Sequence, residues 1–200
     1  DGISMYKHFS NMLSDSSVSK NLKDDIISHH LGDITPDISR KLEEESLKYF
    51  LWLDSERSSL FFSKHVLICE GASEKIFFDY LVNNDWIELK KKHIYFLDAM
   101  GKFNINRFMM LLEKFGIKHS IIYDDDNGKS YHPIIKNFID SYKKTFFVNE
   151  KIIPNDIEVF LGLTKPDRSD KKPLNILYNY IENNLNIINL SDLKTFISSL

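Results

Sequence analysis

A single cysteine, Cys69, in a chain of 200 residues excludes an internal disulfide framework and leaves no thiolate cluster for structural zinc. No stretch approaches the roughly 18 uninterrupted apolar residues of a membrane span, and the first residues lack the charged-then-apolar order of a secretory leader. Internal repeats and Gly/Ser linkers are missing too. These absences predict a soluble, cytoplasmic chain without a membrane partner. Opening on Asp1 within polar, helix-like sequence, the chain is expected to be a portion of something longer, with a partner domain beyond it.

What is present suffices for a core. With 42% apolar and 13% aromatic residues, the composition predicts one α/β domain with an appended piece. Charge is unevenly placed: residues 1–60 carry 7 Lys/Arg against 11 Asp/Glu, and residues 61–200 carry 19 against 18. If five of the later carboxylates are metal ligands, the remainder becomes basic, which suits a polyanion held beside an acidic site.

The pattern changes along the chain. Residues 37–62, "DISRKLEEESLKYFLWLDSERSSLFF", place Leu42, Leu47, Tyr49, Phe50, Leu53 and Leu60 near helical spacing and predict a connecting helix. From residue 65, short apolar runs alternate with amphipathic segments. "HVLIC" (65–69), "HIYFL" (93–97), "HSIIY" (119–123) and "KTFFV" (144–148) predict buried strands. Helices are expected at 73–84, 104–116, 132–144 and 154–163, and near 174–184 and 191–199, with Gly116 ending the second and Pro133 opening the third. Alternating strands and helices imply right-handed crossovers and a parallel sheet covered on both faces.

Ligands of such a sheet bind beyond the carboxyl ends of its strands. Glu70 follows the first strand directly, and Glu74 lies one helical turn later, in "CEGASEK". Asp124 follows the third strand in "YDDDNGK"; a loop there can aim Asp124 and Asp126 at one point while Asp125 turns away. Alone, a glutamate after a strand is commonly a turn residue or a helix-capping partner, and "DDDNG" a solvated turn. Together, at the ends of successive parallel strands, they point to a site. Carboxylates gathered there repel one another and raise one another's pKa, a cost that a divalent cation relieves. Oxygen-only donors select Mg2+, then Mn2+ or Ca2+. Four or five carboxylates suit two ions, the arrangement of many phosphoryl-transfer sites.

These residues resemble the TOPRIM fold, marked by a glutamate after the first strand and Asp-x-Asp after a later one. More narrowly, "SSLFFSKHVLICEGASEKIFF" (58–78) is similar to the TOPRIM domain of the overcoming lysogenization defect (OLD) nucleases, with its Glu-Gly-x-x-Glu pattern. The resemblance covers residues 58–175 and implies a Rossmann-like parallel sheet flanked by helices, with an N-terminal helical segment and a C-terminal helical tail. "DAMGKFNINRFMMLLEKFGI" (98–117) resembles the family's Gly-Lys-Asn segment. "NDIEVFL" (155–161) resembles its late acidic motif, which would bring Glu158 and Asp156 to the second metal. "DKKPLNIL" (170–177) resembles the basic loop whose lysine steadies the scissile phosphate, Lys172 before Lys171.

The resemblance and the carboxylate chemistry together imply Mg2+- or Mn2+-dependent hydrolysis of DNA. Glu70, Asp124 and Asp126 are expected at one metal and Glu74 with Glu158 at the other. Family members join this nuclease to an N-terminal ABC-type ATPase that dimerises, and recur in anti-phage defence, where a partner protein is possible. Residues 1–57 would then be the end of that ATPase or the link from it, residues 58–175 the catalytic domain, and residues 176–200 a helical extension. Nothing in the sequence matches a Gly-x-x-x-x-Gly-Lys-Ser/Thr phosphate loop, so ATP would enter only through the domain outside this chain.

Other conspicuous residues have plainer readings. His29 and His30 are expected in solvent, and His65, His93 and His119 at strand starts in edge or capping roles. His132 falls closer to the acidic loop. Ser73 is expected to cap a helix, and Phe77, Phe78, Phe108, Met109 and Met110 to form core stripes. Two alternatives remain: a TOPRIM primase or topoisomerase fragment, and a degenerate TOPRIM-like module that binds metal or a protein partner.

Overall fold

Four strands, β1 (His65–Cys69), β2 (Ile94–Asp98), β3 (His119–Asp125) and β4 (Phe147–Pro154), form one parallel sheet in the order β2-β1-β3-β4. The computed structural model describes residues 2–28, 31–32, 44, 47, 57–125, 131–168 and 171–200. Side chains of the strands alternate between two cores, as a period of two requires. Val66, Ile68, Leu97, Ile121 and Tyr123 enter one core, Leu67, Cys69, Phe96, Ile122 and Ile153 the other. The sheet is therefore buried on both faces, and its central strands are apolar nearly throughout.

On the first face lie α1 (Gly2–Ser14), α2 (Lys20–Ser28), α4 (Ile105–Lys114) and α5 (His132–Ser141). Phe9 of α1 is fully buried and meets Phe138 of α5 with ring centroids 6.4 Å apart. The second face carries α3 (Ala72–Asn84), α6 (Ile157–Phe160), α7 (Lys172–Ile181) and α8 (Ile187–Ser199). Phe77 of α3 packs edge-on against Tyr180 of α7 at 5.8 Å. Phe77, Phe78, Phe108 and Met109 are fully buried and Met110 partly so, as their helical spacing predicts. Gly116, at φ +69°, ends α4 in the left-handed region that glycine enters without steric cost. Among the described residues no helix is long and apolar enough to cross a membrane.

The α/β class and the flanked parallel sheet agree with the sequence expectation; several details do not. The fourth strand runs over Phe147–Pro154 rather than 144–148. It is an edge strand whose polar residues find partners: Glu150 meets Lys143 at 2.5 Å, and Lys151 meets Asp192 at 2.5 Å. Pro154, tolerated at a strand end, stops it. The helix expected over 154–163 shrinks to Ile157–Phe160. Ser73 lies inside α3, whose N-cap is Gly71. His65 and His119 are buried rather than peripheral: His65 Nε2 hydrogen-bonds Ser120 Oγ at 3.1 Å, and His119 Nδ1 meets the Ile117 carbonyl at 2.9 Å. The helix expected over 37–62 falls largely outside the described residues, as do His29 and His30; its end is a 3-10 turn, Arg57–Phe62, with Leu60 buried.

The order β2-β1-β3-β4 makes the chain reverse direction between β1 and β3. A crevice opens at such a switch point, beyond the carboxyl ends of those two strands. Glu70 stands there directly after β1, and Asp124 at its edge, because β3 continues to Asp125 and holds Asp124 as its penultimate residue rather than as the residue expected after the strand.

Candidate functional site

β1 and β3 are hydrogen-bonded neighbours with Cys69 opposite Ile122, so the residues that follow them emerge side by side. Glu70 Oε2 accepts the main-chain N–H of Asp124 at 3.0 Å. The same oxygen lies 3.7 Å from the Lys102 ammonium, which also donates to the Asp124 carbonyl. Lys102 arrives because Gly101, at φ +109°, turns the chain after β2 and donates its N–H to the Glu70 carbonyl at 2.8 Å. Its side chain is only 3% exposed.

Glu74 is buried on the first turn of α3, where its Oε2 accepts the Gly71 N–H at 3.1 Å. Burial pushes its carboxyl up to about 8, the Glu70 and Glu158 charges add to this, and hydrogen bonding to Gly71 opposes it. Asp124 is pushed up to about 9, first by burial, then by the charges of Glu70 and Glu74, with Asp156 adding and Lys102 opposing. Its Oδ1 is buried without a hydrogen-bond partner among the described residues.

Beyond β4, α6 brings a second acidic pair. Asp156 caps this short helix by accepting the Val159 N–H at 2.9 Å, and its other oxygen meets Lys165 at 3.1 Å. Burial works to raise the Asp156 pKa, but the Val159 N–H and Lys165 outweigh it and hold the carboxyl below its ordinary value. Glu158 is fully buried, and neither carboxylate oxygen has a hydrogen-bond partner among the described residues. Lys172 Nζ stands 3.6 Å from Glu158 Oε1. A cleft of about 390 Å³ is lined by Glu70, Glu74, Asp98, Gly101, Asp124 and Lys172, among others.

The sequence candidates thus divide clearly. Glu70, Glu74, Asp124 and Lys172 line one cleft, and Asp156 and Glu158 act on Asp124 and Glu74 through their charges. Lys171 is exposed at the start of α7 and does not line the cleft. Asp126 lies outside the described residues. Asp125 has its Oδ1 3.4 Å from His132 Nε2. Sequence reasoning missed Asp98, although an acid ending the "IYFLD" run follows the same logic as Glu70. It also missed Lys165, and it read Gly101 and Lys102 as either a backbone approach to a phosphate or a plain turn, not as a partner of Glu70.

Glu70, Glu74, Asp98, Asp124, Asp156 and Glu158 offer only oxygen donors, which suit a hard divalent cation. The buried, unbonded oxygens of Asp124 and Glu158 suit it further, because burying such atoms without a partner is costly. Among the described residues no three acidic, histidine or cysteine side chains form a closed metal cage; the Gly71 and Asp124 N–H groups, Lys102 and Lys172 engage the carboxylates instead.

Residues 61–126 match the family model described as the overcoming lysogenization defect protein-like TOPRIM domain. This segment is an OLD-like TOPRIM domain. TOPRIM domains generally bind divalent metals such as Mg2+. Two solved structures of the C-terminal region of the Xanthomonas campestris pv. campestris OLD protein, phased with iodine and with platinum, are 18% identical to this chain. The similarity covers 69% and 70% of this chain and 72% of each of theirs, with TM-scores of 0.40 and 0.37. No curated protein matches the chain. The matched OLD-like segment holds β1 through β3 and therefore Glu70, Glu74, Lys102 and Asp124, whereas Asp156, Glu158 and Lys172 lie after it.

Proposed function

We propose that this chain is the nuclease part of an ATPase-nuclease protein and hydrolyses DNA phosphodiesters in a metal-dependent reaction, as an endonuclease. Glu70, Asp124 and Asp126 are the ligands proposed for one Mg2+ or Mn2+ ion, and Glu74, Glu158 and Asp156 those for a second. The observation that carries this reading is the buried, unbonded carboxylate of Glu158 at the same edge of the sheet as Glu70, Glu74 and Asp124. The matched OLD-like TOPRIM segment supports a nuclease-type module.

Bound divalent cations would supply an activated water and neutralise charge on the departing oxygen. The chain's own residues do the rest. The Asp124 N–H fixes the Glu70 carboxylate at the mouth of the crevice, so a divalent cation would be met by a preset ligand rather than a mobile one. Lys172, partly exposed and facing the cleft, offsets the charge that gathers on the phosphorus oxygens. Residues 58–175 make up the catalytic unit. Residues 1–57 end or follow an N-terminal ABC-type ATPase, through which ATP binding and dimerisation enter, and residues 176–200 extend the unit. Anti-phage defence in the cytoplasm is the setting this reading implies.

Incubation of the chain with supercoiled plasmid in Mg2+, Mn2+ or EDTA tests the proposal. Nicked or linear product that forms only with metal supports it. Intact plasmid with a folded, metal-binding chain contradicts it and favours a TOPRIM-like binding module.

A further inference from the structure

Lys102 is among the most enclosed charges described in this protein, with a side chain 3% exposed. Its ammonium lies 3.7 Å from Glu70 Oε2, donates to the main-chain carbonyl of Asp124, and stands 5.6 Å from the centre of the Tyr123 ring. A buried ammonium is tolerated only when paired and hydrogen-bonded, and here both needs are met by Glu70, directly after β1, and Asp124, the penultimate residue of β3. Glu70 Oε2 in turn accepts the Asp124 N–H. Lys102, Glu70 and the Asp124 peptide thus bridge the switch point of the sheet.

We infer that Lys102 is a positioning residue that sets the divalent-metal affinity of this centre. Its fixed positive charge holds Glu70 against Asp124 in the metal-free protein and opposes an incoming cation at the same carboxylate, so metal binds reversibly to a site that stays assembled when empty of it. The inference rests on the metal-dependent reading above and adds a residue that is not itself a ligand. A purely structural lysine would support the fold without tuning affinity.

The test is calorimetric titration of the full chain with Mn2+, comparing wild type with Lys102→Met and Lys102→Gln. Gln keeps a donor for the Asp124 carbonyl but removes the charge, and serves as the second variant should Met not fold. The ammonium, 3.7 Å from Glu70 Oε2, repels a dication held at that oxygen, so removing it is expected to tighten Mn2+ binding about tenfold or more once the heats are corrected for the protons that binding displaces, because the same loss also favours the protonated carboxylates. Both variants should melt below wild type in EDTA and recover toward it in saturating Mn2+. Wild-type binding with neutral variants no tighter, or a melting deficit that persists in Mn2+, overturns the role of Lys102 while leaving the metal site standing. A folded wild type that binds no Mn2+ overturns both this inference and the metal-dependent reading.

Discussion

The carboxylate of Glu70 accepts the main-chain N–H of Asp124 at 3.0 Å, so the acid that follows β1 is held by the backbone that delivers the acid of β3. Substitution at Glu70 therefore separates chemistry from scaffolding. Glu70→Gln keeps an acceptor for that N–H and removes the charge. It is expected to lower metal-dependent cleavage by more than about 100-fold, beyond the 10- to 100-fold that loss of an outer metal partner costs. Glu70→Ala loses both functions and should also destabilise the chain by about 1–3 kcal/mol, the usual cost of a buried group left unsatisfied. Denaturant unfolding in EDTA checks the second figure, and single-turnover cleavage the first.

The raised carboxyls predict a pH dependence with a definite sign. Glu74 is pushed up to about 8 and Asp124 to about 9, chiefly by burial. Between pH 7 and 8.5 the folded chain retains protons that the unfolded chain has already released, so metal-free stability falls as pH rises through this window. His65, lowered to about 4 by burial, titrates below it and does not interfere. A divalent cation needs the carboxylates ionised, so Mn2+ binding should release protons at pH 7 and tighten with pH. Melting temperatures in EDTA across the window check the first expectation; binding heats in buffers of different ionisation enthalpy check the second. Flat melting temperatures and buffer-independent heats would contradict the buried-carboxyl account.

Two adjacent lysines should behave differently. Lys172 faces the cleft 3.6 Å from Glu158, whereas Lys171 is exposed. Lys172→Ala is expected to slow cleavage by about 100- to 1,000-fold, the range for losing one preset stabilising group, and to reduce metal-free stability by leaving Glu158 without its ion pair. Lys171→Ala should cleave within about threefold of wild type, since surface substitutions usually perturb stability by no more than about 0.5 kcal/mol. Parallel rate measurements decide between them.

Away from the cleft, one hydroxyl ties three strands together. Ser120 Oγ pairs with His65 Nε2 at 3.1 Å and accepts the Asn149 N–H at 3.1 Å, where the β3–β4 register is irregular. Ser120→Ala should cost about 1–3 kcal/mol in unfolding free energy, because two polar groups lose their partner. Cleavage per folded molecule should not change, so denaturant unfolding and rate measured on one preparation check both halves.

The parallel sheet was legible because β1 to β3 are short apolar runs with few polar residues. Glu70, Glu74 and Asp124 were legible because each follows or nearly follows such a run. β4 was displaced because the polar "NEK" interrupts its apolar residues, and it becomes a strand by pairing with β3, with Lys143 and Asp192 partnering Glu150 and Lys151. Lys102 was legible only as part of a turn or of a backbone approach to a phosphate, not as a buried partner of Glu70. Its burial arises from where β1 and β3 end, which local sequence does not encode. The helix-capping role expected as the plainer reading of the glutamate after β1 falls instead to Glu74, which accepts the Gly71 N–H and also lines the cleft.

The most direct test of the whole account compares the initial rate of plasmid cleavage in Mn2+ for wild type, Glu70→Gln and Glu158→Gln, with circular dichroism confirming that all three are folded. The account predicts metal-dependent cutting by wild type and loss of it in both variants. Cutting at the wild-type rate by either folded variant would contradict the assignment of these carboxylates to the reacting centre.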